Sequence, residues 1–344
     1  MKNYFKRYLM ELMFFAIIFT HCHNKRDLSK MLNDFLVKKK DVTIVITDSG
    51  LGGLSVVANL AARLPESGIF QQVRIVFFNS LFHERSGYNS LKTEAERIEI
   101  FDRALEAMAK KYHPDLILIA CNTLSVIYQK TPFYQRAKIP IIGIVETGVD
   151  LIAQELEHNP EANVIIFATR TTIESNAHKN LLVSMGFAED RIIGQTCHKL
   201  AGAIERGYDS EETIDYIRKY VTEALTKVNQ PQRALFASLN CTHYGYSLQQ
   251  FKDVFAEAGY PGITIIDPNP RMADFLFQSP YLHRFPNTQI TVEVVSKTKI
   301  TSQEIASLAK LLQQVSPATA QAFASYRYIP DLFDAKFDST TIEK

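Results

Sequence analysis

Residues 115–125, DLILIACNTLS, and residues 233–245, RALFASLNCTHYG, have the same plan. Each is an apolar run ending in a cysteine, Cys121 or Cys241, with amide, hydroxyl or imidazole groups directly behind it: Asn122 and Thr123, then Thr242 and His243. The runs are β-branched or apolar on both faces, as expected of central strands in a parallel sheet. The two thiols lie 120 residues apart, and so do two further strand-like segments, IVITDSG from Ile44 and VIIFATR from Val164, which end in Ser49 and Thr169. One offset shared by two pairs of segments predicts an internal duplication, with a thiol at the mouth of each half. Two such halves facing each other enclose one cleft with a thiol on each wall.

Around these segments the chain alternates strand and helix patterns from Asp41 onward, which predicts an α/β fold with parallel sheets covered on both faces. VTIVIT runs into DSGLGGLSVVANLAARLP, where Gly50, Gly52 and Gly53 permit a tight strand-to-helix turn and Pro65 is expected to end the helix. Backbone N–H groups at such a turn favour an anion such as a carboxylate. Asp48 and Ser49 stand at the C-terminal end of that strand, where open sheets place ligand contacts. Thr93 and Glu96 have capping-box spacing at the start of a helix running to about Tyr112. Later strands are expected at VRIVFFN, IPIIGIV, NVIIFA, RIIGQ, ITIID and QITVEVV, with a helix near 172–185.

The 344 residues are enough for two domains of ordinary size, and Lys and Arg (38) balance Asp and Glu (37), so no basic face for nucleic acid is implied. Four cysteines without C-x-x-C spacing argue against structural zinc, and no metal site is expected. No P-loop or G-x-G-x-x-G signals a nucleotide, so no cofactor is expected. Residues 1–22 have a basic start (Lys2, Lys6, Arg7) and a short apolar run from Leu9 to Phe19, which resembles a secretory signal, with Cys22 placed where a lipid could attach. Export or membrane anchoring is the expectation, and an amphipathic helix on a cytoplasmic protein is the alternative. Residues 23–40 read as a polar linker, and the tail 325–344 has no assigned place.

DSGLGGLSV, IACNTLSV, IGIVETG, ATRTTIES and NCTHY occur here in the order and spacing of glutamate racemase and the wider aspartate/glutamate racemase family, and the chain resembles that family from about Val42 to Phe277. The resemblance implies two doubly wound α/β domains related by a pseudo-twofold, with the active site in the cleft between them. It implies a first domain of residues 41–141 completed by 246–324, and a second of 142–245. It implies a cofactor-independent racemase of an acidic amino acid, most closely glutamate, supplying D-glutamate for peptidoglycan; it also allows a homodimer.

Carried onto this chain, the catalytic thiols are Cys121 and Cys241. Asp48 assists Cys121, His243 assists Cys241, and Glu205 in AIERG lies near the second thiol. Asp48 with Ser49, Asn122 with Thr123, and Thr242 with His243 are the implied substrate-binding pairs. The family's Pro-Tyr-Gly loop reads Arg85-Ser86-Gly87 here, so Ser86 and Gly87 are expected at the substrate, with the aromatic lost or shifted to Tyr88. The glycine before the second thiol is Asn240, and the proline after CTHY is Gly245.

The chemistry suits these residue types. An amino acid's α-proton is very weakly acidic, so removal needs a positioned base, return to the other face needs a positioned acid, and the carbanion needs electrostatic support. Thiols can fill both roles when neighbours tune them. Cys197, His178, His198 and His83 have no such context, and Cys197 reads as a core residue. Two alternatives are another reaction at the same cleft, such as aspartate racemisation or decarboxylation or isomerisation of a dicarboxylate, and a non-catalytic protein that only binds an acidic amino acid. The matched pair of thiols disfavours decarboxylation, whose family members keep one, and disfavours pure binding, which needs neither.

Overall fold

The computed structural model describes residues 25–84, 86–230 and 233–335. Ten strands follow in chain order: β1 (Asp41–Asp48), β2 (Gln72–Asn79), β3 (Leu116–Ile119), β4 (Ile141–Gly143), β5 (Asn163–Ala168), β6 (Ile192–Thr196), β7 (Leu235–Leu239), β8 (Thr264–Ile266), β9 (Gln289–Ser296) and β10 (Arg327–Tyr328). They form two parallel sheets, of order β10-β9-β2-β1-β3-β4 and β6-β5-β7-β8. Every residue of β3, β5 and β7 is buried, which is why their sequences are continuous apolar runs rather than alternating ones. This is the doubly wound α/β architecture expected.

The duplication is visible in the hydrogen-bond register. The order β2-β1-β3-β4 repeats as β6-β5-β7-β8. Ile44 of β1 faces Leu116 of β3, and Val164 of β5 faces Phe236 of β7, so both partners move by the same 120 residues. Beyond the strands, Ala120 N–H donates to Thr47 O (2.9 Å) and Asn240 N–H to Phe167 O (2.8 Å), again one offset. Each thiol therefore leaves its sheet at an equivalent point, the C-terminal end of a central strand.

Four expectations are corrected. The segment expected to be a linker forms a helix, Lys25–Lys38, whose Leu32, Phe35 and Leu36 are buried in the core of the larger sheet, with Phe35 and Phe70 rings 5.1 Å apart. Arg284 fastens its end by donating to the carbonyls of Val37 (2.7 Å) and Lys39 (3.1 Å). Leu28, Leu32, Phe35 and Leu36 have the spacing of one helical face, which the surrounding lysines obscured. Second, β8 pairs with β7, and the helix Leu248–Glu257 packs on Glu211–Leu225, so residues 248–266 join the smaller sheet; the chain returns to the core of the larger one at Met272, Ala273 and Leu276 and then adds β9 to it. A short apolar strand does not say which sheet it will join. Third, the helix Leu54–Ser67 runs through Pro65, which removes only one hydrogen bond in the last turn, and it ends at Gly68, whose φ of 57° is left-handed. Fourth, the expected helix near 172–185 is two, Arg170–Glu174 and Ala177–Ser184, separated by Asn176 at φ 53°.

The tail also acquires a place. β10 adds to β9, and Leu332 and Phe333 are buried on the larger sheet, with Phe333 5.8 Å from the Phe78 ring. Residues 1–22, with Cys22, lie outside the described residues. No helix among the described residues is long and apolar enough to cross a membrane. The Thr93 box is present: Thr93 Oγ1 accepts from Glu96 N–H (3.2 Å) and Glu96 Oε2 accepts from Thr93 N–H (2.9 Å). Thr93→Ala should lower unfolding stability by about 1 kcal/mol in denaturant titrations, and a change near zero would refute the cap's contribution.

Candidate active site

β1, β3, β5 and β7 converge on a cavity of about 230 Å³ with Cys121 and Cys241 in its lining. That is smaller than a drug-sized site and suits a ligand of amino-acid dimensions. Of the expected residues, Asp48, Ser49, Gly87, Asn122, Thr123, Glu205, Thr242 and His243 line it with the two thiols. Ser86 does not: its N–H donates to His83 O (3.3 Å), which turns the residue away, and the next two residues, Gly87 and Tyr88, face the cavity instead. Arg85 lies outside the described residues. Cys121, Cys197 and Cys241 carry free thiols, and Cys197 sits among Ile165, Phe167 and Leu200 as a core residue. No metal-holding cluster of His, Cys, Asp and Glu occurs among the described residues.

The two thiols have different surroundings. Cys121 is 5% exposed, and its sulfur lies 3.1 Å from Ser49 Oγ. Burial pushes this thiol well above its usual range and the Asp48 carboxylate pushes it further, with the Ser49 hydrogen bond opposing. It is a group held in the protonated form. Asp48 acts on it through the field and through Ser49, because its own oxygens are occupied: Oδ1 accepts from Ser49 N–H (2.6 Å) and Oδ2 from the Thr242 hydroxyl (2.6 Å).

Cys241 sits 3.7 Å from His243 Nδ1, and His243 Nε2 is 2.7 Å from Glu205 Oε1. Burial alone would lower the imidazole pKa, but the charge of Glu205 and hydrogen bonds to Cys241 and Glu205 outweigh it and raise the pKa well above 6.5. Glu205 responds in the opposite sense: its burial would raise it, yet His243 and the Leu51 N–H (2.8 Å) hold it below 4.5. The ring is thus an imidazolium with Nε2–H directed at Glu205 and Nδ1–H available to the sulfur. Gly52 N–H, 3.1 Å from Nε2, is then a close neighbour rather than a donor to it.

This ion pair carries a pH signature. His243, with its folded pKa raised, contributes stability that is complete below 6.5 and lost as pH rises through the folded value. Glu205, with its folded pKa lowered, contributes stability that is complete above 4.5 and lost as pH falls through the folded value. The melting-temperature advantage of wild type over Glu205→Gln should therefore peak between 4.5 and 6.5 and shrink on both sides. A difference independent of pH would contradict the pair.

The glycine-rich turn does attract a carboxylate, but the protein's own: Leu51 N–H holds Glu205. Gly50 and Gly52 serve close approach. A Cβ at Gly50 would lie 2.8 Å from Glu205 Oε1, and one at Gly52 would lie 2.3 Å from Thr242 Oγ1 and 2.6 Å from His243 N.

Asn122 is 3% exposed, and neither amide atom has a hydrogen-bond partner among the described residues. The duplication explains this. Its counterpart, Thr242, bonds Asp48, whereas the counterpart of Asp48 is Ala168, which offers nothing. The amide thus stands without a partner in the lining of the cavity. Tyr88 is 1% exposed and lines the cavity with its hydroxyl unpartnered, its ring lodged between Phe82 (5.2 Å) and Phe101 (6.3 Å). It supplies the aromatic that Ser86 lacks.

Asn89 also lines the cavity, at a position that no motif of the sequence marks. Its Nδ2 donates to Thr123 Oγ1 (3.4 Å), its Oδ1 accepts from Thr171 N–H (3.0 Å), and its carbonyl accepts from Arg170 (2.6 Å), while Thr123 and Thr169 hydroxyls meet at 2.8 Å. These bonds clasp the two halves at the cavity edge. A lone Asn in a loop has no sequence signal for that role.

Residues 44–275 match the family model described as Asp/Glu/Hydantoin racemase. Among curated proteins, the chain is 28% identical over 237 residues to the glutamate racemase of Fusobacterium nucleatum subsp. nucleatum, covering 67% of this chain and 80% of that one. It is 27% identical over 237 residues to that of Syntrophus aciditrophicus, covering 67% and 77%. Its fold is similar to the crystal structure of glutamate racemase from Campylobacter jejuni (TM-score 0.60, 20% identity, 77% of this chain and 96% of that one). It is equally similar to the Francisella tularensis enzyme in complex with D-glutamate (TM-score 0.60, 23% identity, 79% and 94%).

Proposed function

The chain belongs to the Asp/Glu/hydantoin racemase family, and we propose that within it this protein interconverts L- and D-glutamate through two thiols, supplying D-glutamate for peptidoglycan. The observation that carries this reading is the pair of free thiols at equivalent strand ends of a duplicated fold, both lining one cavity of amino-acid size. The glutamate racemases among its curated relatives support glutamate as the substrate.

In one direction the Cys241 thiolate removes the α-proton and the Cys121 thiol protonates the opposite face of the carbanion. In the other direction the roles exchange. Each turnover leaves one thiol with a proton gained and the other with a proton lost, and solvent exchange resets them. His243 offers a charged N–H donor beside Cys241, and the raised pKa of Cys121 suits an acid that keeps its proton until the carbanion forms. Asn122 and Thr242 supply hydrogen bonds to the substrate's polar groups. No step calls for a cofactor.

Purified protein incubated with L-glutamate and, separately, L-aspartate, followed by chiral chromatography, tests the reading. Glutamate should approach an equal mixture of enantiomers, much faster than aspartate. Faster racemisation of aspartate would move the substrate, and tight binding of glutamate without turnover would favour the binding-protein alternative.

A further inference from the structure

Asn240 stands where the resembled family has glycine, immediately before the thiol of Cys241. It is fully buried and lines the cavity. Its Nδ2 lies 2.9 Å from Nε2 of His178, which is 3% exposed on the helix Ala177–Ser184. Burial lowers the His178 pKa to about 4, so the ring is neutral near pH 7 and its bare Nε2 accepts from the amide. On the same side Gly148 leaves room for Nδ2, which a Cβ there would approach to 2.5 Å. With Nδ2 committed, Oδ1 is the unused atom of the side chain, and it has no partner among the described residues. In a residue that lines the cavity, a buried amide oxygen without a partner is one that a donor on a bound molecule can satisfy.

In an acidic amino acid near neutral pH both carboxylates only accept, and the α-ammonium is the group that donates. We propose that Asn240, oriented by His178, receives a hydrogen bond from the substrate's ammonium and so selects amino acids over dicarboxylates that lack the amine. This rests on the racemase reading above. An amide suits the place because, unlike a carboxylate, it takes no proton beside Cys241.

The test compares binding of D-glutamate and of glutarate, its counterpart without the amine, to wild type, Asn240→Ala and His178→Ala, with thermal melts confirming the fold. Wild type should prefer D-glutamate. Asn240→Ala should bind it about tenfold or more weakly, with glutarate unchanged, as expected for a lost hydrogen bond to a charged group. KM should rise by the same factor, with kcat altered much less. His178→Ala should show a smaller loss of the same selectivity. Equal losses for both ligands would mark a merely structural pair and overturn the proposal, as would an unchanged affinity for D-glutamate. A wild-type protein that racemises no amino acid would sink the racemase reading itself, a result distinguishable because it precedes any variant.

Discussion

Cys121→Ala and Cys241→Ala should each slow racemisation by roughly two to four orders of magnitude while leaving the fold intact. Neither sulfur holds the architecture together: Cys121 meets Ser49, Cys241 meets His243, and neither takes part in a disulfide. Each variant keeps one thiol and therefore one face of the chemistry. Loss of the α-proton to solvent should persist weakly for one enantiomer in one variant and for the opposite enantiomer in the other. A wild-type rate in either variant would remove that thiol from the mechanism.

Gly52→Ala should cost about a hundredfold or more in kcat/KM and destabilise the protein by about 1–3 kcal/mol. The glycine is not needed for its φ, since it does not lie in the left-handed region. It is needed because the loop carrying Thr242 and His243 passes within 2.3 to 2.6 Å of where a Cβ would be, and one of those contacts is backbone. Relief means separating the halves, which breaks the Thr242–Asp48 bond and moves Cys241 relative to Cys121. Where there is room, Gly to Ala commonly stabilises through the unfolded chain. A stabilised and fully active Gly52→Ala would show that this close approach is no part of the working cleft.

The strands and the two thiols could be read from sequence because burial on both faces leaves continuous apolar runs and because the duplication repeats at one offset. The turn glycines were legible as a turn but not as a point of contact with Glu205 and Thr242, which lie 154 and about 190 residues onward. Ser86 shows the limit of carrying a motif by position: its loop closes back on His83, and the cavity takes Gly87 and Tyr88 instead. Asn89, Asn240 and His178 are single polar residues whose meaning lies in partners far along the chain, 62 residues apart for the last two. The helix Lys25–Lys38 was hidden because the lysines of the segment masked its pattern, while Leu28, Leu32, Phe35 and Leu36 on one face set its fate.

The central claim is that separate groups handle the proton on opposite faces of the α-carbon, and proton tracing tests it directly. L-Glutamate carrying protium at the α-carbon is incubated with the protein in D₂O and sampled early by NMR and mass spectrometry, and the experiment is repeated from D-glutamate. The two-thiol account predicts that the newly formed enantiomer carries deuterium from its first appearance, while the remaining substrate still holds protium. Product that retains the substrate's own proton would mean one group serving both faces, and would contradict the account.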